Sequence, residues 1–182
     1  MASAFTHGFV GLALGRLSTA EPQPRRFWVL AALCAILPDI DAMGYMMGVD
    51  YASMWGHRGI VHSLLFALLA GVAVALLAFP SVSRWSREWW RLVLFFFVAT
   101  ASHGLLDALT TGGLGVAFFA PFSGTRYFLP WRVIRVSPIG VGSFFSARGV
   151  AVIASEALWV WLPTLVLLAI AWLVRRRRSL PC

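Results

Sequence analysis

The sequence contains no lysine, little charge of any kind and only two cysteines, and each scarcity excludes something. Charged residues make up 12% of the 182-residue chain and hydrophobic ones 60%. A soluble domain is nearer a quarter charged and half apolar. The composition therefore points to an integral membrane protein, of a length that suits one domain, 1–182. The net charge of +8 comes from arginine alone. No basic stretch is interleaved with base-stacking aromatics on a soluble face, so nucleic acid is set aside and the arginines read as cytoplasmic anchors. Cys34 lies in an apolar stretch and Cys182 is the last residue, a pair unsuited to a disulfide; Cys182 is also misplaced for prenylation. MASAFTHGF lacks the positive n-region of a signal peptide and is expected to be retained. Three catalytic signatures are missing too: the HExxH of site-2-type proteases, the GxSG of rhomboids and the lysine-bearing motif of one class of lipid phosphatase.

What is present is a run of apolar segments. They predict an all-α, polytopic membrane bundle of about four to five helices: Ala4 to Leu17, Phe27 to Leu37, Ile60 to Phe79, Leu92 to Leu109 and Glu156 to Val174. The first two are shorter than the roughly 20 residues a span needs. Pro38-Asp39 stops the second on this reading, and Glu156 opens the fifth, where a carboxylate complements the helix dipole. Between the last two helices, 110–155 is rich in glycine, proline and phenylalanine. It is too apolar for a solvated loop and reads as a cap or re-entrant segment. Neither an internal repeat nor a low-complexity linker is visible.

Arginines set the expected topology. Arg16, Arg25 and Arg26 join the first two helices; Arg84, Arg87 and Arg91 join the third and fourth; Arg175 to Arg178 begin a basic tail, 175–182. Alternating helices bring these clusters to one side, which the positive-inside rule makes the cytoplasm. The cap is then non-cytoplasmic and the C-terminus cytoplasmic.

Ionisable groups in membrane spans cost about 2.5–3.5 kcal/mol each even on lenient scales and are functional suspects by default. Here they are His7, Asp39, Asp41, His57, His62, His103 and Asp107. On the predicted topology all seven collect at the non-cytoplasmic end. Asp107, for example, lies roughly 24 Å along its helix from Arg91. His103 and Asp107 share a helix face at i, i+4. Imidazole with carboxylate is the ligand set of catalytic zinc, and carboxylate-rich versions suit manganese or magnesium. Seven groups exceed one zinc's protein ligands, so either two ions bind or some groups orient ligands or act as base. Singly, each residue has a plainer reading: an interfacial histidine, a capping aspartate, an Arg58 paired with Asp39 or Asp41. Ser63 and Ser102 bond nearby backbone or orient ligands.

The motifs THGFVG, LPDID, HRGIVHS and SHGLLD, in this order and followed by PFSGTRY, resemble the YdjM-like inner-membrane proteins, described as metal-dependent hydrolases. The resemblance runs from His7 to about Arg135. It implies a bacterial inner-membrane location and a metal site built from His7, Asp39, His57 or His62, His103 and Asp107. The family is also distantly similar to zinc-dependent phospholipases C and fungal single-strand nucleases, all-α phosphodiesterases whose HxxxD motif His103 and Asp107 match. Their HxxxE motif and N-terminal tryptophan have no counterpart in this chain.

The expected chemistry is metal-dependent hydrolysis of a phosphoester in a membrane lipid or lipid-linked substrate. One or two divalent ions, zinc first and manganese or magnesium next, would activate water. Asp41 is the expected base; Arg58, Arg126, Arg132 and Arg135 are expected to clamp phosphate through bidentate donors. Rival readings are a divalent-metal transporter or sensor, a metal-stapled structural protein, and a zinc amidase on a ceramide-like lipid. Transporters place their sites near the midplane and show repeats; this chain gathers its polar groups at one end.

Overall fold

A computed structural model describes residues 1–138 and 141–178. Among the described residues it is all-helical, and three helices are long and apolar enough to cross a membrane. Helix α1 (Ala4–Ser18) starts at Ser3, whose hydroxyl accepts from Thr6 N. Its glycines are spaced to let another backbone approach. A Cβ on Gly11 would lie 2.4 Å from the Ala31 carbonyl oxygen. So α1 meets α2 (Arg25–Ile36) nearly backbone to backbone, as small residues allow between membrane helices.

The LPDID stretch does not end its helix. After α2 the chain tightens into a 3-10 turn, Leu37–Ile40, and resumes as α3 (Asp41–Met46). Together they make a 22-residue candidate span, Arg25–Met46. Pro38 falls in the first residues of that turn, where a missing N–H is best tolerated. The next helix also starts later than its apolar run. Ile60–His62 is a 3-10 turn, and α4 (Leu64–Ala78) begins behind Ser63, whose hydroxyl accepts from Phe66 N. Helix α5 (Arg87–Ala108) is capped by Ser86 and carries Glu88 in its first turn, where the dipole favours it. α4 and α5 are closely apposed at Gly71, where a Cβ would sit 2.6 Å from Val93 O. Phe27, Cys34, Phe79, Phe96 and Ala99 form the apolar core between these helices.

The last span corrects the sequence expectation. After the short α6 (Val141–Phe144), helix α7 begins at Ala147 and ends at Glu156. One π turn, Ala157–Trp161, joins it to α8 (Leu162–Arg178), giving a 31-residue candidate span, Ala147–Arg177. Glu156 is thus mid-span and fully buried, not a helix start. Only 6% of this span's apolar window is buried within the chain, so its Leu and Ile side chains are left for lipid. At one end Arg175 donates to the carbonyls of Arg16, Leu17 and Thr19, fastening α8 to the C-terminus of α1. The tail beyond Arg178, with Cys182, lies outside the described residues.

Residues 110–138 cross the opposite end as an ordered, non-helical cap. Bridges join Thr110 to Ile134 and Val116 to Tyr127. Leu129 N donates to Ala108 O, Ala117 N to Arg58 O, and Leu64 N to Phe118 O. Val116, Ala117, Ala120 and Ile134 are buried, which explains why this stretch is too apolar for a solvated loop.

Candidate metal centre

Four elements deliver polar side chains to the capped end. α1 carries His7; the 3-10 turn and the start of α3 carry Asp39 and Asp41; α5 carries His103 and Asp107 on one face. His57, Arg58 and His62 come from a tightly coiled loop. A Cβ on Gly56 would meet Asp50 O at 2.1 Å, and one on Gly59 would meet Met54 O at 2.1 Å, so only glycine permits the coil. Arg58 holds φ +66° in that coil. All seven residues singled out by the sequence come together here.

Four of them form a group: Asp39, His62, His103 and Asp107 each offer one ligand atom, all within 4.8 Å of one another. His103 Nδ1 is 2.8 Å from Ala35 O, an oxygen that can only accept. Nδ1 therefore donates to that carbonyl, and Nε2 is the nitrogen turned inward. That nitrogen lies 3.4 Å from Asp39 Oδ1 and 4.0 Å from Asp107 Oδ2, and His62 Nε2 lies 3.7 Å from Asp107 Oδ2. Four ligands about 2.1 Å from a tetrahedral ion are about 3.4 Å apart. Both Asp39 oxygens and the facing imidazole nitrogens are buried without a hydrogen-bond partner, and Asp107 Oδ2 has the Arg58 guanidinium beside it. Arg58 balances part of the Asp107 charge, but a buried carboxylate such as Asp39, with neither oxygen hydrogen-bonded, is costly unless a cation also balances it. The donor set and its spacing fit a divalent metal.

His62 reports the same deficit of positive charge. Burial disfavours its charged form, but the carboxylates of Asp107 and Asp41 outweigh burial and hold its pKa up at about 9. A bound divalent ion would displace that proton.

A second group, Asp41, His57 and His62, is equally compact but differently built. His57 Nδ1 is 2.6 Å from Asp41 Oδ1, a hydrogen-bond length. Two ligand atoms that close, each about 2.1 Å from one ion, would subtend only about 76°, tighter than tetrahedral or octahedral coordination. Asp41 Oδ2 accepts from the Arg58 backbone N–H at 3.0 Å and lies 3.1 Å from His62 Nδ1. Asp41 therefore orients two imidazoles, and His57 Nε2 is left buried with no partner.

His7 stands beside the first group. Its ring stacks on His103, centroids 3.6 Å apart, and its Nε2 is 3.5 Å from Asp107 Oδ1. The arginines divide. Arg58 is wholly buried and pairs with neither Asp39 nor Asp41 through its side chain. Nε lies 3.0 Å from Asp107 Oδ2, NH1 donates to Gly112 O and NH2 to Thr110 Oγ1. Arg126 uses NH1 on His57 O and NH2 on the carbonyls of Tyr51 and Ser53, tying the cap to the site loop. Arg132 is exposed over the Phe128 ring, and Arg135 is exposed on the cap. Ser63 and Ser102 bond local backbone, Ser102 to Ala99 O.

Two contributors had no signal in the sequence. The backbone N–H of Ala2 donates to Asp107 Oδ1 at 2.7 Å. Glu156, placed at a helix start by hydropathy, reaches the first turn of α1.

The model of the YdjM inner membrane protein family matches residues 1–179. Inner membrane protein YbcI of Escherichia coli strain K12 is 40% identical over 177 residues, which is 97% of this chain and all of that relative. No solved structure matches the chain. The likeness to zinc-dependent phospholipases C stands on the motifs alone.

Proposed function

The chain belongs to the YdjM inner membrane protein family, and from that premise we propose a membrane-bound, metal-dependent hydrolase acting on a phosphoester of a lipid or lipid-linked substrate. The observation that supports it is the buried convergence of ligand atoms from Asp39, His62, His103 and Asp107, within 4.8 Å of one another and with no hydrogen bond made by either Asp39 oxygen. When bound there, a zinc or manganese ion would lower the pKa of a water and polarise a phosphoryl oxygen. The surrounding residues have roles their geometry suits. Asp41 keeps the His57 proton on Nδ1, so that Nε2 can accept a proton from water; this moves the base from Asp41 to His57. Arg58 orients Asp107 and partly neutralises it. With Arg126 engaged by three carbonyls, Arg132 and Arg135 are the cap arginines left to meet a headgroup phosphate. The arginine clusters at the other end favour a cytoplasmic C-terminus and a site on the non-cytoplasmic face.

Burial favours a second reading, a metal staple. The ligand side chains are 0% exposed except Asp39, at 9%, and structural metal sites are closed whereas catalytic ones keep an open position. One experiment separates the two. Detergent-purified protein is loaded with zinc, manganese or magnesium and assayed for phosphate or headgroup release from phospholipid vesicles. Turnover that His57→Gln abolishes without loss of metal supports the hydrolase. Bound metal with no turnover, and unfolding on chelation, supports the staple.

A further inference from the structure

Glu156 is a fully buried carboxylate that no step above uses. It accepts three hydrogen bonds from the start of α1: Ser3 N to Oε1 at 2.5 Å, Ser3 Oγ to Oε2 at 2.5 Å and Thr6 Oγ1 to Oε2 at 2.7 Å. A carboxylate here faces the N-terminal end of α1, where free N–H groups and the dipole favour it. Trp161 adds a fourth bond, Nε1 donating to the same Thr6 Oγ1 at 2.8 Å.

Glu156 and Trp161 could not both do this on a regular α-helix. Five residues advance about 500°, leaving the two side chains roughly 140° apart. The π turn Ala157–Trp161 begins immediately after Glu156. A π turn accommodates one extra residue and recovers about 100° of that rotation. Both side chains then reach one hydroxyl. Such turns recur at functional sites, and this one grips the segment that contacts the metal centre. Ala2 N–H holds Asp107 Oδ1, and His7, next to Thr6, stacks on His103 and faces Asp107.

We propose that Glu156 is a positioning residue for the metal centre: through Ser3 and Thr6 it fixes the first turn of α1, and through that turn the Oδ1 side of Asp107 and the ring of His7. The inference rests on the metal-centre reading. It differs from the helix-dipole role that hydropathy suggests, since the dipole Glu156 serves belongs to another helix.

The test is zinc affinity at fixed pH in detergent, by competition with a chromophoric chelator, with helicity and metal-free thermal unfolding measured alongside. The proteins are wild type, Glu156→Gln, Thr6→Val, Thr6→Ser and Trp161→Phe. Losing a group hydrogen-bonded to a ligand weakens metal binding about 10–100-fold; Glu156 and Thr6 act one bond further out, so a loss of about tenfold is expected for Glu156→Gln and Thr6→Val, with a smaller loss for Trp161→Phe. Thr6→Ser keeps the hydroxyl and is expected to bind like wild type. If Glu156→Gln does not fold, the three milder variants carry the test. Folded variants that all bind zinc as wild type does would overturn the inference and leave the metal centre standing. A wild type that binds neither zinc nor manganese would overturn the metal centre itself, and the positioning role with it.

Discussion

His103 is the residue on which the site turns. Its Nδ1 is committed to Ala35 O, so Nε2 faces Asp39, Asp107 and His62. His103→Gln and Asp39→Asn keep volume and remove a ligand. Each is expected to lower metal affinity at least tenfold while leaving the helical circular dichroism unchanged, as equilibrium dialysis against zinc would show; retained affinity would exclude them as ligands. His57 is expected to behave differently. His57→Gln should keep bound metal and lower kcat by about 10²–10⁴-fold, the range typical of general bases, with KM little changed. Steady-state assays on a substrate found in the vesicle screen would check this. The polar cluster was legible in the sequence because seven ionisable groups sit at alternating helix ends, and parity of direction brings those ends together. The partners within it were not. Arg58 pairs with Asp107, far away in the chain, because its loop coils through Gly56 and Gly59 and turns the side chain inward at positive φ. Hydropathy says nothing of such a coil.

At the scale of elements, α1 depends on closeness. It is 15 residues long, and its glycines let it lie against α2. Gly11→Val would push into Ala31 O and Ala35, and overpacking of this kind costs about 1–3 kcal/mol. Because α1 carries His7 and borders Asp107, this variant is expected both to unfold several degrees lower in a thermal scan and to lose metal affinity. Gly71→Val lies at the α4–α5 contact against Val93 and is expected to lower the melting temperature with a smaller effect on metal. Comparing the two in one thermal and one metal-binding series checks that α1 is coupled to the site. Apolar runs located five helices but misplaced their ends. Proline in LPDID signals a stop, yet it opens a 3-10 turn that helix can follow. Glu156 signals a start because the chain before it is less apolar, yet α7 reaches back to Ala147 and buries Gly149 and Val152. A π turn has no signature in hydropathy at all.

For the whole molecule, polar chemistry sits at one end and unpaired apolar surface along the last span. Arginines mark the other end, where Arg175 closes α8 onto α1. A reporter that is active only outside the cytoplasm is expected to be silent when fused after Cys182 and active when inserted in the cap at Gly124, whose position has open space around it. The reverse pattern would invert the orientation. The cap's ordering was readable only as composition. Its bonds to Arg58, Leu64 and the site loop join residues dozens of positions apart, and no local pattern encodes them.

The central claim is that this end of the bundle holds a metal, and the most direct measurement is metal content. Detergent-purified wild type, loaded with zinc or manganese and dialysed, is compared by mass spectrometry with an Asp39→Asn/His103→Gln double variant of equal helicity. About one ion per chain in wild type, lost in the variant, is the predicted result. Metal-free wild type after loading with either ion, or equal content in both proteins, would contradict it.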